Sequence, residues 1–315
     1  MGDKTRISWA DATWNPVVGC ARISEGCKNC YALKLQNRRY KANARHAMVY
    51  SGLHEDGERK LRHYESWPTY VERVGPPAGG WPARARHLGI GLPLPAQYDK
   101  PFSQVQLLPD RLDQPLHWRK PRRIFMCSMA DLFHPAVPDE FIDRVFGAML
   151  RAKRRGHTFL ILTKRPERMR WFVTEYWPSV ACLDLRSAPF EEQYSHVHLG
   201  VSVENQHWAA IRIPVVLDTP AAVRWISAEP LLAPLDLRPW IGDYMTTPVG
   251  QGVLRWVVVG GESGPGFREM NPQWALDIKR QCDDAGVAFF FKQAAGPRPG
   301  MPSGIPELDN AKALV

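Results

Sequence analysis

The chain has 315 residues, with 41 Lys and Arg against 32 Asp and Glu, a formal net charge of +9. A hydrophobic fraction of 44% supports a large core and excludes wholesale disorder. The length fits one α/β barrel or two ordinary domains. No run approaches the ~18 apolar residues of a membrane span, and the opening Met1-Gly2-Asp3-Lys4-Thr5-Arg6 has no signal-peptide apolar region. The expectation is a cytoplasmic protein with no membrane partner.

In chain order, the first strand candidate lies around Thr13 to Val18. It runs into three cysteines, Cys20, Cys27 and Cys30, spaced C-x6-C-x2-C. Gly19 and Gly26 let the backbone fold tightly there. A helix is expected from Tyr31 to about Val49. The stretch from 51 to 121 then breaks the pattern, with ten of the 28 prolines between Pro68 and Pro121. It is too long for an ordinary connection and reads as an irregular insertion or lid over one mouth of a barrel.

Apolar runs bounded by polar or glycine signals follow, and each reads as a buried strand. They are 124–127, 158–162, 196–201, 223–226, 256–259 and 287–291. Helical patterns separate them. Pro138 to Arg155 carries Phe141, Ile142, Val145, Phe146, Met149 and Leu150 on one face and stops at Gly156. Pro166 to Trp177 opens on a proline, and a helix from Asn205 to about Leu217 has an uncertain end at Pro214. Asn271-Pro272 starts another, which Gly286 ends. Strands alternating with helices imply a mostly parallel sheet. The fold class is α/β: one domain over residues 1–315, a full or partial TIM-like barrel of six to seven parallel strands. A doubly wound open sheet is the alternative.

In such barrels the working groups project from the C-terminal ends of the strands. Those positions here hold Ser128 and Asp131; Thr163, Lys164 and Arg165; Ser202, Glu204 and Asn205; Ser227 and Glu229; Gly260, Gly261, Glu262 and Ser263; Lys292 and Gln293. Lys164, Arg165, Glu204, Glu229 and Lys292 are the candidates for catalysis. Ser128, Asp131, Ser202, Asn205, Gly260, Gly261, Glu262 and Ser263 are the candidates for cofactor binding.

Three clustered thiols in a reducing compartment point to metal or redox chemistry before disulfides. Protein-held cubane clusters usually take four Cys ligands, so three leave one iron open for a small molecule. Structural zinc, with His46 or Cys127 as fourth ligand, is a second reading, and buried free thiols a third. The basic clusters 38–41, 119–123 and 151–155 suit phosphate contacts, although the last also suits a helix C-terminus. They fit a nucleic acid or phosphorylated substrate.

A three-cysteine loop after a first strand, followed by a β/α barrel, resembles the radical S-adenosylmethionine (SAM) superfamily. More narrowly, Trp14-Asn15-Pro16, Cys30-Tyr31-Ala32, 163–166, 227–231 and 260–264 are similar to motifs of a phage and bacterial three-cysteine-motif family of uncharacterised function. The first cysteine gap is six residues where the superfamily usually has three, and Asn29 stands where an aromatic is usual. The resemblance implies a 4Fe–4S cluster on Cys20, Cys27 and Cys30, SAM on the open iron and an external electron donor. It implies reductive cleavage of SAM and hydrogen abstraction from a substrate, with Glu262 near the methionine amino group. A non-catalytic nucleic-acid-binding protein with structural zinc or an iron–sulfur centre is the competing expectation. No protein partner is specified.

Overall fold

The computed structural model describes residues 5, 7–51, 96–98, 100–180, 188–242 and 252–315. Its main sheet has seven strands, all parallel: β1 (Ala12–Trp14), β4 (Arg123–Met126), β5 (Thr158–Thr163), β6 (Val197–Ser202), β7 (Val223–Ala228), β8 (Leu254–Gly260) and β9 (Ala288–Gln293). Their order in space is their order in the chain. A doubly wound sheet reverses direction at a switch point, and this one never does. The sheet curls into a half-barrel flanked by helices, a partial TIM-like barrel.

The expected first strand divides in two. β1 ends at Trp14, and β2 (Val17–Val18) leaves the main sheet to pair antiparallel with β3 (Gln106–Leu107). The break falls at Asn15-Pro16. Pro16 has no N–H for a ladder, and Asn15 is buried, with its Oδ1 accepting from Met129 N at 3.0 Å and Ser128 Oγ at 3.2 Å.

The helices follow the expected signals. α1 (Tyr31–Ser51) starts directly after Cys30. α2 (Asp139–Ala152) has acids in its first turn, and the chain after it turns at Gly156 in the left-handed region. α3 (Pro166–Trp171) continues through a π-helical stretch, Phe172–Tyr176. α4 (Gln206–Leu217) passes through Pro214 without stopping. That proline lies in the last turn, where Ile213, Val216 and Leu217 are buried and their packing outweighs one missing bond. α5 (Pro272–Asp284) is capped by Asn271, whose Oδ1 accepts from Gln273 N at 2.9 Å. Among the described residues no helix is long and apolar enough to cross a membrane.

Alternation along each strand divides the core. One face, with Phe159, Ile161, Val197, Leu199, Val257 and Val259, packs against the helices. The other fills the concave interior with Trp9, Phe125, Leu160, Trp225, Trp256, Val258 and Phe290. The rings of Trp9, Trp225 and Trp256 stand 5.0 to 6.0 Å apart. This aromatic layer closes the half-barrel below the strand ends.

In the expected insertion, residues 52–95 lie outside the described ones. The described part contains β3 and short 3-10 turns, and it packs against the cysteine loop: Cys20 N donates to Phe102 O at 2.8 Å.

Candidate active site at the strand ends

Because every strand of the main sheet is parallel, all C-terminal ends open at one mouth. The loop from Gly19 to Cys30 crosses that mouth, held at each end and in the middle. Gly19 has φ +98° and lies so close to Gln104 O that a Cβ would meet it at 2.5 Å. After β5, Arg165 reaches Cys20 Sγ at 3.8 Å and Ala21 O at 3.3 Å. After β6, Glu204 accepts from Ser24 Oγ at 2.8 Å, and Trp208 donates to Glu25 at 2.8 Å. That bond, with another from Asn205, holds the Glu25 carboxyl below its ordinary range. After β8, Glu262 accepts from Asn29 Nδ2 at 2.8 Å.

The acids that anchor this loop are themselves paired. Glu204 is fully buried between Lys164, Ser24 and Arg212, with Arg212 Nη1 at 3.0 Å. The Trp208 ring covers the Arg212 guanidinium at 4.0 Å. Asp131 accepts from Arg165 Nη1 at 2.8 Å and Thr163 Oγ1 at 2.7 Å. Glu262 takes two side-chain bonds from Arg268, at 2.7 and 3.1 Å. Burial pushes its pKa up, but Arg268 and Asn29 outweigh that and hold the carboxyl low. Lys292 and Glu229 pair at 2.7 Å.

Two cavities meet under the loop. The larger, about 580 Å³, is lined by Cys20, Cys27, Cys30, Cys127, Tyr31, Arg22, Ser128, Asp131, Lys164, Arg165 and Ser202, with apolar wall from Leu33, Phe102, Phe125 and Leu162. The smaller, about 240 Å³, is lined by Trp9, Asn29, Ser227, Glu229, Gly261, Glu262, Ser263, Lys292 and Gln293. Cys27, Cys30, Tyr31, Phe125, Leu162 and Lys164 face both.

Cys20, Cys27 and Cys30 are free thiols, each partly exposed to the larger cavity. Burial pushes Cys20 up to about 11, with the Asp131 charge adding and Arg165 opposing. Burial also raises Cys30. Among the described residues no group of three His, Cys, Asp or Glu side chains is placed to hold a single metal ion. A four-iron cluster takes each thiolate on its own iron, so its ligands stand apart rather than converge. Cys20, Cys27 and Cys30 face this one space together with the buried Cys127, and Arg165 stands beside Cys20.

Of the remaining expected site residues, Glu204, Asn205 and Gly260 line neither cavity. Asn205 caps α4, its Oδ1 accepting from Trp208 N at 3.1 Å. A Cβ on Gly260 would press on Glu229 Oε1 at 2.8 Å, and one on Gly261 would reach Ala295 N at 2.1 Å. These glycines let β8 lie against its neighbours. Sequence reasoning missed Ser24, Asn29, Arg212 and Arg268. Only Arg212 carried a signal: it lies on the buried side of α4 with Ala209, Ile213 and Val216, where a charge requires a partner.

A family model described as "Protein of unknown function (DUF5131)" matches residues 4–76 and 83–301. The chain belongs to the DUF5131 family. Among curated proteins nothing matches, and among solved structures nothing matches either. The DUF5131 match takes in the cysteine loop and every strand of the half-barrel, so fold and candidate site lie together inside it.

Proposed function

We propose that this DUF5131 chain is an iron–sulfur enzyme of the radical SAM kind. Cys20, Cys27 and Cys30 would hold the cluster, and SAM would occupy the larger cavity. The observation that carries this reading is the three partly exposed thiols of the Cys20–Cys30 loop on the wall of one cavity, which the buried Cys127 also lines, at the C-terminal mouth of a partial β/α barrel. When bound, the cluster and SAM supply one-electron reductive cleavage and hydrogen abstraction, given an external electron donor.

The chain's own residues position and shield. Arg165, oriented by Asp131, places a cation beside Cys20 and favours its thiolate. Arg165 and Lys164 offer positive charge to the SAM carboxylate, and Ser128 and Ser202 offer hydroxyls. Lys164 stands where the two cavities join, so it can touch cofactor and substrate alike. The smaller cavity, with Ser227, Glu229, Ser263 and Lys292, would receive the reacting part of the substrate. The Trp9, Trp225 and Trp256 layer and the cysteine loop exclude water from below and above.

Anaerobic reconstitution tests the reading. Expected are about four irons and four sulfides per chain, and 5′-deoxyadenosine formed from SAM under a strong reductant. Cys20→Ser, Cys27→Ser or Cys30→Ser should each abolish the centre, and Cys282→Ser, on the buried side of α5, should not. Stoichiometric zinc with no affinity for SAM would overturn it in favour of a structural metal.

A further inference from the structure

We propose that the exposed cationic stripe on α1 is a docking track for single-stranded nucleic acid, leading to the mouth of the half-barrel. Its direction toward a reaction rests on the function proposed above; the binding itself does not.

Three basic clusters stand in the sequence, and the fold separates them. Arg123 begins β4, and residues 151–155 lie just before β5, so both of those clusters sit at the N-terminal end of the sheet. The cluster at residues 38–41 instead lies on α1, which starts at the mouth directly after Cys30. On it, Tyr31, Lys34, Arg38 and Lys41 recur at helical spacing and are all exposed. They form one stripe about 15 Å long. Arg22 and Lys28, also exposed, extend it across the cysteine loop.

Among the described residues no carboxylate pairs with this stripe. From Cys20 to Lys41 the only acid is Glu25, which is held by Trp208 and Asn205. Among the described residues, none of Arg22, Lys28, Lys34, Arg38 or Lys41 forms an ion pair. Inside the mouth the opposite holds: Lys164, Arg165, Arg268 and Lys292 each face a carboxylate. Lys34 Nζ donates to Pro265 O at 3.1 Å, which leaves its charge unneutralised, and such a row of exposed cations attracts a polyanion.

Tyr31 distinguishes the kind of polyanion. The residue is 52% exposed at the foot of the stripe and lines both cavities, while its hydroxyl donates to Ser128 O at 2.6 Å. An anchored aromatic next to exposed cations suits an unstacked base on a phosphate backbone. An acidic peptide has no use for the ring, and a duplex keeps its bases stacked.

The test is fluorescence anisotropy of a labelled single strand of about 12 nucleotides with the full chain, as purified and after reconstitution. Binding is expected at low salt, weakening steeply as salt rises. The Lys34→Ala/Arg38→Ala/Lys41→Ala variant should bind at least about tenfold more weakly, with a log–log salt slope shallower by ~2. Tyr31→Ala should weaken the single strand and leave any residual duplex binding unchanged. Arg154→Ala/Arg155→Ala, at the far end of the sheet, should bind like the parent, and unfolding temperatures should match throughout.

No binding at low salt, equal loss in the 154/155 variant, or equal displacement by polyglutamate or duplex would overturn the track. A chain that takes up no iron on reconstitution yet binds through α1 would sink the cofactor reading and leave the track standing. A chain that cleaves SAM without binding the strand would do the reverse.

Discussion

Glu204 fills the space that a side chain at residue 26 would need: a Cβ on Gly26 would lie 2.4 Å from Glu204 Cγ. The two residues are far apart in the chain, and their contact seats the cysteine loop on β6. Arg212, Lys164 and Ser24 anchor Glu204, so the loop must yield if residue 26 grows. Gly26→Ala is therefore expected to cut iron binding ~10-fold or more, as changes behind metal ligands do. Iron titration checks this, and a near-parental unfolding temperature should accompany it.

Removing the carboxylate itself acts on stability. Glu204→Ala leaves Arg212 buried and unpaired, an arrangement that costs about 3–5 kcal/mol. Glu204→Gln keeps an acceptor for Arg212 and should cost clearly less. Denaturant unfolding of the two variants measures the difference. Equal costs would mean that the charge on Glu204 contributes little.

The division between the two cavities is open to a paired substitution. Lys292 faces only the smaller cavity and Arg165 only the larger. Arg165→Lys keeps the charge but loses the fork that bonds Asp131, Ala21 and Cys20 together, so it should reduce SAM cleavage about tenfold. Lys292→Met should leave the reductant-driven, substrate-free cleavage of SAM within about twofold. The reverse ranking would exchange the roles of the cavities.

His198 makes stability depend on pH. It lies on the interior side of β6, and burial, helped by the charge of His196, lowers its pKa to about 4. The unfolded chain takes up this proton near pH 6.5, while the folded chain does not until about pH 4. Stability should thus fall as pH drops through that window, by about 3 kcal/mol at most from this residue. His157 and His196, also lowered by burial, act in the same sense. Unfolding midpoints between pH 4 and 7 should show the slope, and His198→Leu should flatten it.

Much of the fold was legible because strand and helix signals are local. The β-branched and aromatic runs at 158–162 and 256–259 became β5 and β8, and Asn271-Pro272 capped α5 as expected. Misreadings came where a distant residue intervened. Asn15 turns inward to Ser128 and Met129, which ends β1 and sends Val17 and Val18 to another partner. The helix expected from Asn205 to about Leu217 did form, and Pro214 stays inside it because its neighbours are buried.

The cysteine spacing and the polar residues after each strand were determined by the sequence alone, since both are patterns of neighbours. Which of those residues face a cavity was decided only by the tertiary structure. Glu204 and Asn205 stand one after the other, yet one is buried on Arg212 and the other caps a helix and reaches Glu25. Asn29 and Glu262 are 233 residues apart and meet at 2.8 Å. Charge pairing and burial are properties of space rather than of spacing along the chain. Only the curled parallel sheet, by bringing its strand ends to one mouth, could sort these residues into anchors of the loop and walls of the site.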